Sequence, residues 1–134
     1  MSELVDKLNE IMAVEWACVR ALRRAESACN DPGKLELVQR VHKECSVNCI
    51  NLANVIGALG GSPTDVPSPR FSLKLSGESL TEALDMAQSA QQHILAEINA
   101  VIDDPDLKSS RSALDTIRRL HEEHTSLLNS AIAS

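Results

Sequence analysis

The chain has 134 residues, 43% hydrophobic and 24% charged, with a net charge of −6 and two aromatic side chains, Trp16 and Phe71. That length fits a single domain able to bury a real core. The acidic balance argues against a nucleic-acid footprint, no apolar run is long enough to span a membrane, and the dearth of aromatics disfavours a sandwich or barrel.

The elements follow from turn signals in chain order. Ser2 can cap a first helix over about 3–29, closed by Asn30-Asp31-Pro32-Gly33. There Asp31 can accept hydrogen bonds from free helical N–H groups and Pro32 suits the first helical position, which predicts a second helix over about 33–59. Gly60-Gly61 supplies a left-handed C-cap, and Pro63 prevents continuation. The stretch 60–77 holds three prolines and no helical period. Ser79 and Glu82 form a capping-box pattern for a third helix over about 79–103, and Asp104-Pro105 opens a fourth over about 105–132.

Each helix carries an apolar stripe at alternating spacings of four and three, as in Leu4, Leu8 and Ile11, or Ile94, Ile98 and Val101. Such stripes meet at one seam when four helices pack nearly antiparallel. Two tight Asp-Pro turns make helices one and two antiparallel neighbours, and likewise three and four. A helix of about 27 residues is roughly 40 Å long, and the crossover, extended, reaches roughly 55 Å. It can therefore travel the length of the bundle. The predicted fold is all-α: one domain over 1–134, an antiparallel four-helix bundle with one long crossover between helices two and three. The acidic, amphipathic start is unlike a signal peptide, so a cytoplasmic protein with its four cysteines as thiols is expected. The basic cluster Arg20, Arg23 and Arg24 shares its helix with acidic residues and reads as a solvated face.

The stripes are interrupted at matching places: Glu15 on the first helix, Cys45 and Asn48 on the second, Gln91 on the third, His121 and His124 on the fourth. Glu15 precedes Cys45 by 30 residues, as Gln91 precedes His121, and Leu4, Leu8, Val38 and Leu52 recur as Leu80, Leu84, Leu114 and Leu128 at an offset of 76. A duplicated helical hairpin explains both repeats. Burying polar groups is costly unless they are paired or bound to metal, so six in one layer ask for a reason. His121 and His124 stand one turn apart, Glu15 supplies charge, and Cys18, Cys45 and Cys49 add thiolates within a turn. The plainer reading makes the histidines hydrogen-bonded core residues and the cysteines small apolar filler, with His42 and His93 at the flanks. Cys45 and His121 are the residue types of nucleophilic catalysis. No local signature accompanies them, and no catalytic residue is assigned.

Leu8 to Glu15 resembles the first helix of bacterioferritin and other ferritin-like proteins, ending on their first metal-binding glutamate. Leu52 to Pro63, ending Gly-Gly-Ser-Pro, resembles the close of their second helix, and Arg119 to His124 resembles their fourth-helix Glu-x-x-His segment. The resemblance covers most of the chain and is nearest to small rubrerythrin-like bundles. It implies a ferritin-like fold with a dimetal site made of a glutamate from each of two helices and Glu-x-x-His from each of the other two. Glu15 matches the first glutamate. Cys45 and Asn48 stand in the second helix's Glu and His positions, and Gln91 in the third helix's Glu position, with Gln88 there if the register slips. His121 replaces the fourth-helix glutamate, and His124 keeps the histidine. A second register would align His42 and Cys45 with His121 and His124; the first keeps the apolar stripe intact and is preferred.

With three carboxylates gone, di-iron oxidation is not expected. The ligand set implies a transition metal (zinc, copper, nickel or iron) held for storage, sensing or transfer by Glu15, His121, His124 and cysteines among Cys18, Cys45 and Cys49, with Asn48 and Gln91 in the layer. The alternative is a degenerate module without metal, acting through a homodimer or other homo-oligomer, with Trp16, Met12 and Val19 as its apolar contact patch.

Overall fold

The computed structural model describes residues 2–71 and 79–133. Four helices, α1 (Ser2–Ala28), α2 (Pro32–Ala58), α3 (Leu80–Val101) and α4 (Arg111–Ala133), make up the bundle, and no strand occurs among the described residues. None of these helices is long and apolar enough to cross a membrane.

Local chemistry sets the helix ends. The Asp31 carboxylate accepts from Gly33 N at 2.9 Å and Lys34 N at 3.3 Å, satisfying N–H groups that lack an intrahelical partner at the start of α2. At its other end Gly60 adopts φ 82°. Gly61 N then donates to Ile56 O and Gly60 N to Gly57 O, both at 3.0 Å. This is a Schellman ending, open to Gly60 because it has no Cβ to clash in the left-handed region. Ser79 and Glu82 form the reciprocal capping box, each contact 3.1 Å.

The opening of the fourth helix differs from the sequence expectation. Pro105–Ser110 is a 3₁₀ stretch, and the α-helix begins only at Arg111. Asp104 caps the tighter turn, Leu107 N donates back to Asp104 O at 2.9 Å, and Arg111 Nε ties the junction to Ile102 O at 3.1 Å. Ser109 and Ser110 have hydroxyls that compete for backbone groups, so they do little to hold an α-helical first turn.

Contacts between the helices fix their directions. Val5 sits against Gly61 and Glu26 against His42, so α2 runs antiparallel to α1. Lys7 pairs with Glu97 at 4.0 Å and Cys18 Sγ approaches Ala87 O at 3.7 Å, so α3 also runs antiparallel to α1. Helix α4 packs on α2 and α3, closing the ring in the order α1, α2, α4, α3. Small side chains let α1 and α3 approach closely: Ala17, Ala21 and Ala25 face a helix carrying Ala83, Ala87 and Ala90, all buried. Leu8, Ile11, Leu22, Leu52, Ile94, Ile98, Leu114 and Ile117 fill the seam. Each such side chain contributes about 1.5–3 kcal/mol by leaving water.

The crossover leaves α2 at the N-terminal end of α1 and climbs along it. Asn9 holds it by donating from Nδ2 to Ser62 O (3.1 Å) and accepting at Oδ1 from Thr64 N (2.8 Å), and Ser68 N donates to Ala13 O (2.9 Å). Phe71 ends this run in the core. Residues 72–77 of the expected crossover, and the Ser2 side chain expected as a cap, lie outside the described residues. The strap corrects one expectation. Met12 and Val19 are buried, and Trp16 is half-buried with its Nε1 donating to Thr64 O at 2.9 Å. The patch foreseen for a partner is closed by the chain itself, because a crossover of this length must lie on some face of the bundle and lies on α1.

Candidate metal centre

One residue or pair per helix meets halfway along the seam: Glu15 from α1, Cys45 from α2, Gln91 from α3, and His121 with His124 from α4. All five are fully buried. The i,i+3 spacing on α4 stacks the two imidazoles on one face, edge to face with centroids 6.0 Å apart and planes at 89°. Cys45, His121 and His124 each place a ligand atom within 4.8 Å of the others.

Hydrogen bonds assign a direction to each ring. His121 Nε2 donates to Glu15 Oε2 at 2.8 Å, and its Nδ1 meets Gln91 Oε1. His124 Nε2 donates to Glu44 Oε1 at 2.8 Å, and its Nδ1 lies 3.6 Å from Cys45 Sγ. Gln91 Nε2 donates to Cys45 Sγ at 3.0 Å and lies 3.5 Å from His124 Nδ1. Both histidines thus have a carboxylate on Nε2 and turn Nδ1 toward Cys45 and the Gln91 amide. A carboxylate on the far nitrogen is the usual support of a metal-binding histidine, since it fixes the tautomer and raises ligand basicity.

The other candidates fall around this group. Cys18 is in hydrogen-bond contact with Cys45. Cys49, one turn further along α2, is buried and feels the charges of Glu15 and Cys45. Asn48 is buried with neither amide atom hydrogen-bonded, and Glu15 Oε1 likewise has no partner. Gln88 pairs with Asn129 at 2.5 Å, away from the site, so Gln91 is the third-helix member. His42 turns to Glu26 on α1, and His93 lies against Phe71 with centroids 5.4 Å apart; neither joins the site. The sequence reading missed Glu44. It lies off the apolar stripe, and its only signal was the i,i+4 pairing with Arg40 on the same helix.

Burial and neighbours tune the ionisable groups. The hydrogen bond with Cys18, then burial, pushes the Cys45 thiol well above its ordinary range. Burial pushes Cys49 up as well, aided by the charges of Glu15 and Cys45. For His124 burial works downward, but its bonds to Cys45 and Glu44 outweigh it and the net direction is up. Raised thiols carry a stability consequence. In the unfolded chain they ionise near the ordinary value of 9.0 while in the folded chain they keep their protons, so their contribution is whole below that pH and is lost above it. Urea unfolding should show stability falling by about 1.4 kcal/mol per pH unit per thiol above that value. Cys49→Ala should make the slope shallower by one thiol; a wild-type curve flat to about pH 10.5 would contradict the burial of both thiols.

The donor set can be tested against the metals that such a layer accommodates. A pair of iron ions in this architecture needs four glutamates and two histidines. Here one carboxylate, Glu15, is buried in the layer and a second, Glu44, stands at its rim behind His124. That set does not fit a carboxylate-bridged pair. One thiol, two imidazoles and an amide oxygen fit a single ion of borderline or soft character, and the unpartnered Glu15 Oε1 and Asn48 amide show that the layer is more polar than its own hydrogen bonds satisfy.

No family model matches the chain, and no curated protein does. Solved structures do. One is described as a ferritin-like, diiron-carboxylate protein from Bacillus anthracis, with TM-score 0.81, 17% identity, 98% of this chain covered and 96% of the other. A second, a conserved hypothetical protein from Mycobacterium tuberculosis, has TM-score 0.77 and 18% identity, with 96% and 89% covered. The fold is the ferritin-like four-helix bundle.

Proposed function

We propose that the chain is a ferritin-like bundle whose central layer binds one transition-metal ion on Cys45 Sγ, His121 and His124, and that it stores, senses or passes on that ion. The observation that carries this is the convergence of the three ligand atoms within 4.8 Å in a fully buried layer. Two ligands placed 2.3 Å and 2.0 Å from a tetrahedral ion stand about 3.5 Å apart. Cys45 Sγ and His124 Nδ1 are already 3.6 Å apart. Gln91 Oε1, in contact with His121 Nδ1, would be the fourth donor, and Glu15 and Glu44 orient the rings from behind. Thiolate and imidazole favour zinc, copper or nickel over the harder iron pair. The Bacillus anthracis structure is described as a diiron-carboxylate protein. This chain shares the architecture and has one carboxylate, Glu15, fully buried in its central layer.

The competing reading, a module without metal, draws on Gln91, which already meets all three donors. Metal analysis of untagged protein, with cobalt(II) titration of the stripped chain, separates the two. One ion per chain and a thiolate-to-cobalt absorption that Cys45→Ser abolishes are expected. No retained ion and no spectral change on adding cobalt would sink the metal reading.

A further inference from the structure

The centre is sealed. Cys45, His121, His124, Glu15, Gln91 and Cys18 are all fully buried. Among the described residues, Glu44 is the one carboxylate in contact with the group that also reaches water, with its side chain 30% exposed while Oε1 touches His124 Nε2. It does not stand alone. Arg40 Nε lies 3.6 Å from Glu44 Oε2, and the same guanidinium pairs with Glu123 across the gap to α4. Two carboxylates thus face solvent at the α2–α4 seam with one arginine between them, half-exposed at 51%. The surface groove of about 520 Å³ between α1 and the crossover is lined by residues such as Asn9, Glu10, Pro67 and Arg70, and by none of the donors.

We propose that the ion enters and leaves the centre at Glu44, and that Arg40 is the latch over that entrance. This rests on the metal reading above. Glu44 and Glu123 make a net negative mouth, which raises the local concentration of cations. An arriving cation competes with the Arg40 guanidinium for the same two carboxylates. Once it takes the place of Arg40 on Glu44, it is one imidazole away from the donors. The alternative path, opening of the whole bundle, needs no particular surface residue. The two routes therefore differ in which substitutions change the rate of uptake.

The test is stopped-flow uptake of cobalt(II) by the stripped full-length chain, read by the thiolate-to-cobalt absorption, with equilibrium affinity and thermal unfolding measured alongside. Arg40→Ala should speed both uptake and release by about tenfold, leaving affinity nearly unchanged. Glu44→Gln should slow uptake by about tenfold. Lys7→Ala removes an exposed cation of the α1–α3 face and controls for net charge; its rate should match wild type. Equal uptake in all four proteins, or uptake that saturates at one cobalt-independent rate, would overturn the entrance while leaving the centre standing. An Arg40→Ala effect reproduced by Lys7→Ala would do the same. No uptake by wild type removes the centre and the entrance together.

Discussion

Replacing His121 with alanine is expected to lower the free energy of unfolding by about 3–5 kcal/mol, the cost of leaving a buried charge without its partner. Glu15 is fully buried, and among the described residues His121 holds its Oε2 while Oε1 has no hydrogen-bond partner. The ring also meets Gln91 Oε1, which would lose that contact as well. Since domains of this size hold only about 5–15 kcal/mol in total, the variant would sit near its unfolding threshold. Glu15→Gln should cost less, about 1–2 kcal/mol, because an amide oxygen still accepts from the imidazole. Replacing both with leucine should recover most of the loss, since apolar side chains of similar volume need no partner. Urea unfolding followed by circular dichroism at neutral pH measures all three. A His121→Ala cost under about 1 kcal/mol, or a double leucine variant no more stable than His121→Ala alone, would show that the pair is not the coupled buried unit described here.

Much of this layer was legible in the sequence, for a physical reason. Polar residues at seam positions have nowhere to go but the core once their helices form, so Glu15, Cys45, Gln91, His121 and His124 could be placed together from stripe phase alone. Turn chemistry was equally informative where it is local: Asp31, Gly60 and Ser79 act on backbone groups within a few residues, and each does in the structure what its type allows. What escaped depends on distant chain. Trp16 read as a free apolar face because the path of the crossover over α1 has no periodic signature. Glu44 was not singled out because its contact with His124 comes from the neighbouring helix. The division of labour within the layer was also hidden. Sequence spacing makes Glu15 a ligand and sets Asn48 in the layer beside it, whereas the geometry puts Glu15 behind His121 and leaves Asn48 unbonded.

Zinc affinity should climb with pH, and the stabilisation it brings should climb with it. The ligand is the thiolate, and Cys45 is held as a thiol by its bond with Cys18 and by burial. Each bound ion must therefore release at least one proton, so below the thiol's pKa the association constant rises by at least about tenfold per pH unit. His124 adds to the slope at the acid end. Its net shift is upward, so in acid its ring must also give up a proton before Nδ1 can ligate. At a free zinc concentration of about one hundred times Kd, the folded state should gain about 2.7 kcal/mol. For a chain of this length that is a rise in Tm of about 10 °C. Cys45→Ser should lower affinity by at least about a hundredfold, more than loss of an orienting partner alone would, and should remove the thiol's share of the proton release. Calorimetric titration in two buffers of different ionisation heat counts those protons directly. A zinc affinity that does not change between about pH 6 and pH 8 would mean that Cys45 is not the ligand, whatever ion the layer holds.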